Sequence, residues 1–155
     1  MKRFFITLAY LLLLASCQLP SPIATITATV DLNDMGSQSS QLTVNFTDFF
    51  VSTANNQTVI NFTSPEGDSL VFTFAGTSLS GNSYDIDQNN FVTGSFVITA
   101  NLSSQEIQVE AKSQGYVNVS QFSESDGSYS GSGDFHVNFD GSGGSTGSGF
   151  GSFSF

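Results

Sequence analysis

Apolar and polar residues alternate at every second position through most of the chain after residue 24. Ile26, Ala28, Val30 and Leu32 share one face of an extended segment, and Thr25, Thr27, Thr29 and Asp31 share the other. Successive side chains of a strand point to opposite faces, so a period of two predicts a half-buried β-strand. Leu42, Val44 and Phe46 repeat the pattern, and Phe49 and Val51 continue it on the other parity after Asp48. A bulge near Asp48, re-phasing one strand, is expected there. Further strands are predicted around Ile60/Phe62, Leu70/Phe72/Phe74, Tyr84/Ile86, Phe96/Ile98/Ala100/Leu102, Ile107/Val109/Ala111, Val117/Val119, Phe135/Val137/Phe139 and Phe153/Phe155. No window keeps the 3.6-residue period of a helix, and Thr, Val, Phe and Ser stand where a helix favours Ala, Leu, Glu and Lys.

The segments between these runs are short and carry turn chemistry. Asn55-Asn56 tolerates left-handed backbone, and Ser64-Pro65-Glu66-Gly67 has proline and glycine at the second and fourth positions of a type I turn. Ser103-Ser104, Gln114-Gly115 and Asp126-Gly127 separate the later runs. Short links between neighbouring strands make hairpins. The expected fold is therefore all-β: an antiparallel meander of about ten strands forming a sandwich or a closed lipocalin-like barrel. The Gly/Ser-rich stretch 140–151 reads as a flexible loop before a last strand from Phe150 to Phe155.

The first 16 residues differ from the rest. Lys2 and Arg3 precede an apolar run from Phe4 to Leu14, and Ala15 and Ser16 are small. This is the layout of a secretory signal, and the run falls short of the roughly 20 apolar residues that a membrane-spanning helix needs. The next residue, Cys17, is the only cysteine. Leu14-Ala15-Ser16-Cys17 resembles the lipobox of bacterial lipoproteins. The resemblance implies peptidase recognition through Leu14, Ala15 and Ser16, cleavage before Cys17, and lipidation of its thiol. The expected organisation is a signal peptide at 1–16, the lipidated cysteine and a tether at 17–24, and one β domain at 25–155. Gln18 follows the cysteine and no acidic run comes after it. By analogy with enterobacterial sorting, this points to the outer membrane, facing the periplasm of a bacterial cell envelope.

Composition narrows the function. The leader removes Lys2 and Arg3, which leaves Lys112 against 13 acidic residues, a formal charge of −12. A phosphate backbone needs several Lys or Arg contacts, so nucleic acid is excluded as a partner. No thiol remains for a disulfide framework.

Four short motifs carry a second resemblance: Leu79-Ser80-Gly81-Asn82-Ser83-Tyr84, Thr93-Gly94-Ser95-Phe96-Val97-Ile98, Gly131-Ser132-Gly133-Asp134-Phe135 and Gly151-Ser152-Phe153-Ser154-Phe155. Over roughly residues 24–155 the chain resembles small, uncharacterised envelope lipoproteins of the Bacteroidetes type. That likeness implies an all-β domain with late G-x-F-x-F strands, and it brings no functional residues with it.

Candidate chemistry is sparse. His136, the only histidine, lies between Phe135 and Val137 and so on the opposite face from both. A triad of His136, a serine and an acid would be recognised by its geometry and not by sequence position. Asp85, Asp87 and Asn89 place oxygen ligands at alternate positions, which suits calcium, but an EF-hand loop would need glycine and glutamate where Asn90 and Phe96 stand. Paired acids such as Glu106 and Glu110 fit a solvated face, and no tryptophan offers a sugar platform. The expectation is a non-enzymatic outer-membrane lipoprotein without cofactor. It would meet the membrane through its lipid anchor, and its β domain would serve a structural or binding role toward a protein or small apolar ligand. An integral outer-membrane β-barrel is the alternative, and a hydrolase a more distant one.

Overall fold

The computed structural model describes residues 21–32, 38–100, 103–141, 144 and 146–155, with backbone only for 30, 32, 38, 97–100, 103–113 and 141. Leu14, Ala15, Ser16 and Cys17 lie outside the described residues. The described residues form ten strands and no α-helix: β1 (Ala24–Leu32), β2 (Gln38–Phe46), β3 (Asp48–Ala54), β4 (Gln57–Thr63), β5 (Ser69–Ala75), β6 (Asn82–Asp85), β7 (Phe91–Ala100), β8 (Ser103–Ser125), β9 (Ser128–Gly141) and β10 (Thr146–Ser154). They follow one hydrogen-bonded path, β2-β1-β10-β9-β8-β7-β5-β4-β3, with β6 beside β8. Every pairing is antiparallel.

The first and last strands pair along their length, from Ala24 opposite Phe153 to Asp31 opposite Thr146. The two ends of the path, β2 and β3, are separated in sequence by Thr47 alone, yet they do not pair among the described residues. The sheet therefore does not close, and of the two expected forms the lipocalin-like barrel is not the one adopted. Instead the sheet folds over itself. Phe72 of β5 meets Phe135 of β9 edge to face at 5.1 Å between ring centroids, and Phe62 of β4 lies 5.7 Å from Phe153 of β10. These strands are not hydrogen-bonded neighbours, so the contacts cross the interior between two layers, as in a sandwich. Phe46, Phe62, Phe72 and Phe74 are fully buried in that interior. Tilted and edge-to-face rings at these separations pack favourably beyond their area burial, and they fill the space that a ligand-holding barrel would leave open.

Two strand boundaries differ from the sequence expectation, each for a local reason. The predicted single strand with a bulge near Asp48 is two strands. Thr47 takes no part in either strand, and its N–H bonds the carbonyl of Thr63 (3.1 Å), which turns the chain from one layer to the other. Conversely, Gln114-Gly115 is not a turn but an irregularity inside the 23-residue β8. The register with β9 shifts between Glu110 and Gln114, and Gly115 has φ 139°. A Cβ there would collide with the carbonyl oxygen of His136. Glycine thus permits a bulge where its presence suggested a hairpin.

The Gly/Ser-rich loop expected at 140–151 is a further correction. β9 runs to Gly141 and β10 begins at Thr146, so most of the stretch is strand. Glycine normally weakens a strand because it has no side chain to pack. Here phenylalanine rings occupy the vacant space. Gly147 pairs with Phe139, Gly151 with Phe135, and Gly133 with Phe153. A Cβ at these glycines would stand 2.7, 2.8 and 2.6 Å from the Cζ of the paired ring.

The turns at Asn55-Asn56, Ser64–Gly67 and Asp126-Gly127 follow their predicted chemistry, whereas Ser103 and Ser104, expected between two strands, begin β8 and pair with Ala100 and Thr99. Asn55 and Asn56 have φ of 52° and 58°, and Asp126 and Gly127 have 52° and 77°. Positive φ at both central residues is the type I′ hairpin requirement. Gly67 donates its N–H to the Ser64 carbonyl (3.1 Å), closing the Ser64–Gly67 turn. The buried Ser64 hydroxyl donates to Asp68 Oδ2 (2.9 Å) and accepts the Asp68 and Glu66 N–H groups.

Candidate functional site

Inward packing of one parity leaves the other parity outside. Val117, Phe135 and Val137 are buried, so Tyr116 and His136 face outward from β8 and β9. The register then sets Tyr116 opposite His136, and His136 opposite Phe150 of β10. Thr27 of β1 stands opposite Phe150 in turn. Three aromatic side chains thus form a row across three adjacent strands. Tyr116 is 39% exposed and Phe150 57%, with His136 half-buried between them. The Tyr116 and His136 rings lie 6.2 Å apart at 40°.

One step along the same strands, Asp134 is opposite Ser152. Asp134 Oδ2 accepts a hydrogen bond from Asn118 Nδ2 (3.0 Å). Asp134 and Ser152, with the aromatic row, Thr25 and Thr27, line an open depression of about 440 Å³ on the outer face. The row was missed from sequence. Phe150 lies in the Gly/Ser-rich stretch that reads as a loop, and the bulge before Tyr116 interrupts the alternation that would mark its face.

The depression gathers a serine, a histidine and a carboxylate, the residue types of a hydrolytic triad. The geometry is different. A nucleophile and its base must come within hydrogen-bond reach, about 2.6–3.2 Å. Among the described residues no hydrogen bond joins Ser152, His136 and Asp134. Asp134 bonds Asn118 instead, and His136 packs beside Tyr116. What the arrangement offers is a set of apolar ring surfaces bordered by hydroxyl, amide and carboxylate groups.

The oxygen-rich segment at Asp85, Asp87 and Asn89 follows a different course. Asp85 ends β6 opposite Tyr116, and the other two lie in the loop that leads to β7. Asp87 Oδ1 accepts the backbone N–H groups of Asn89 (2.6 Å) and Asn90 (2.8 Å). The Asn90 N–H, then that of Asn89, hold the carboxyl below its ordinary value of 3.8. Asp87 N–H bonds the Asn90 carbonyl (2.8 Å) and Asn90 Oδ1 accepts the Ala75 N–H (3.0 Å). The carboxylate therefore organises its own loop. Among the described residues no group of three or more His, Cys, Asp or Glu side chains is placed to hold a metal ion.

The glycine motifs have packing tasks. In Leu79–Tyr84, Leu79 is buried in the core. The Ser80 hydroxyl donates to the Phe122 carbonyl and accepts its N–H, both at 2.6 Å, and so stands in for a strand partner of β8. Gly81, with φ 71°, bonds the Val119 carbonyl through its N–H (2.7 Å). Gly94 leaves room for the Phe96 ring, and Gly131 for that of Phe155. Compared with protein-family models, with curated proteins and with solved structures, the chain finds no match.

Proposed function

We propose that this chain is a non-enzymatic lipoprotein of the bacterial cell envelope, anchored through Cys17 in the outer membrane and facing the periplasm, with a β domain that binds at its outer face. The leader and the lipobox-like Leu14-Ala15-Ser16-Cys17 support the anchor, as does the likeness to small envelope lipoproteins. Six residues, 18–23, separate Cys17 from β1. The observation that carries the binding role is the Tyr116–His136–Phe150 row. Outward positions elsewhere on the same layer are Thr25, Thr27, Thr43, Asn45 and Asn118, so three adjacent rings are an exception to a polar surface. Exposed aromatic rings within a polar rim suit an uncharged ligand that presents an apolar face.

A membrane-spanning barrel would need apolar outward faces and strands closed on themselves. The Thr/Asn faces and the phenylalanine-filled interior favour the anchored domain over that alternative. A hydrolase reading rests on Asp134, His136 and Ser152 lining one depression. It requires turnover of an ester, peptide or glycoside that disappears with His136→Ala; no such turnover is expected. Metabolic labelling with a palmitate analogue tests the anchor. The wild type should take label and sediment with membranes, and Cys17→Ser should do neither. Equal labelling of both would end the lipoprotein proposal.

A further inference from the structure

The chain joins the domain at one corner of the sandwich. Ile23 donates its N–H to the Phe46 carbonyl (2.8 Å) and accepts the N–H of Ser154 (2.7 Å). Phe46 ends β2 and β3 starts two residues later, so Phe49 and Phe50 stand beside this corner. The Phe49 ring packs on Phe155, the residue after Ser154, at 4.4 Å between centroids. Phe49 is nevertheless 39% exposed, and Phe50, at 65%, is the most exposed large hydrophobic side chain among the described residues. Among the described residues β3 is the last strand of the hydrogen-bonded path and pairs with β4 alone. Adjacent residues of a strand point to opposite faces, so the two rings bracket this open edge. An uncovered apolar edge beside an anchor point calls for an occupant.

We infer that Phe49 and Phe50 form a membrane-resting edge, seated in the headgroup region of a bilayer of zwitterionic lipid. This rests on the anchor at Cys17. Seven residue steps separate Cys17 from Ala24, and an extended chain covers at most about 25 Å in that number. The corner that carries Phe49 and Phe50 is thereby confined to the neighbourhood of the headgroups, and aromatic side chains gain by burial at that depth. The flanking charge selects the lipid. Asp48, the residue after Thr47, is exposed, and so is Glu66 of the Ser64–Gly67 turn, which follows Thr63, the residue whose carbonyl accepts the Thr47 N–H. The chain after the leader has one basic residue, Lys112. Anionic headgroups are repelled by such a surface, whereas zwitterionic ones present their ammonium groups to the carboxylates.

The chain has no tryptophan, so Phe50→Trp installs a single fluorescent reporter. Ala54→Trp, exposed on the same face about 13 Å further along β3, is the control. Each variant is made as full-length lipidated protein, checked for unchanged circular dichroism, and reconstituted into phosphatidylcholine vesicles with brominated acyl chains. The emission of the Phe50→Trp protein should shift to the blue and lose most of its intensity to the bromines, while the Ala54→Trp protein keeps its own. Including anionic lipid should reduce that loss. Vesicle flotation with equal quenching in both variants, or with none in Phe50→Trp, overturns the inference and leaves the anchor standing. A blue shift in Phe50→Trp that depends on protein concentration and not on bromine assigns the edge to a second copy, and overturns it as well. Failure of the wild-type protein to float with vesicles removes the anchor and the inference together.

Discussion

Gly133 has no room for a side chain. A Cβ there would collide with the Asn118 carbonyl oxygen and stand 2.6 Å from Cζ of Phe153. Overpacking a well-filled site costs about 1–3 kcal/mol, so Gly133→Ala should lower the urea midpoint clearly. Gly127→Ala meets no atom and bears only the strain of φ 77°, about 1 kcal/mol. An equal loss at both glycines would contradict the ring-over-glycine packing. Phe135 and Phe139 are buried, and Phe→Ala in a core costs about 3–5 kcal/mol. His136 is half-buried beside Tyr116, an aromatic pair of about 0.5–1.5 kcal/mol. Denaturant melts should therefore rank Phe135→Ala and Phe139→Ala well below His136→Ala, and Phe150→Ser, with its ring mostly exposed, near the wild type. A depressed carboxyl stabilises the folded state above its unfolded value and loses that contribution as pH falls through the folded one. Asp87 should thus titrate by NMR below 3.8, and its loop should loosen only under acid; a midpoint at or above 3.8 would deny the capping role. Which parity faces inward at Phe135, Val137 and Phe139 was legible in the sequence. That each late glycine accommodates a particular ring was not, because it depends on cross-strand register.

The strands show where local pattern suffices and where it fails. Asn55-Asn56 and Asp126-Gly127 were legible as turns because their backbone needs are written in their side chains. Asn56 holds φ 58° without being glycine. Asn56→Gly should stabilise the domain by a few tenths to about 1 kcal/mol, since the type I′ turn prefers Asn-Gly. A lowered thermal midpoint would argue against that turn type. Gly115 looked like the same kind of signal yet lies within β8, because glycine marks bulges as well as turns. Thr47 gave no signal at all. Its role, carrying the chain from β2 in one layer to β3 in the other, arises from a tertiary bond to Thr63. The candidate site suffers the same limit. Tyr116, His136 and Phe150 are 20 and 14 residues apart in turn, and only the pairing of β8, β9 and β10 sets them in one row.

At the scale of the whole molecule, the meander was legible from strand spacing, but the partnership of its first and last strands was not. β10 lies between β1 and β9, so it satisfies the backbone groups of both. It also carries Phe153, which is buried and lies 5.6 Å from Phe72 and 5.7 Å from Phe62, both of the opposite layer. Deleting residues 150–155 would remove this ring and open one edge of each of the stretches Ala24–Thr27 and Ser132–His136, which would keep only β2 and β8 as partners. Two open strand edges facing each other across a gap are a template for intermolecular pairing. The loss of one buried phenylalanine is already about 3–5 kcal/mol, against a typical domain stability of about 5–15 kcal/mol. The shortened chain should therefore lose its cooperative urea transition, bind a hydrophobic dye and aggregate. A cooperative transition with the wild-type midpoint would mean that β10 is dispensable, and that the fold is held by β1–β9 without the join between its two ends.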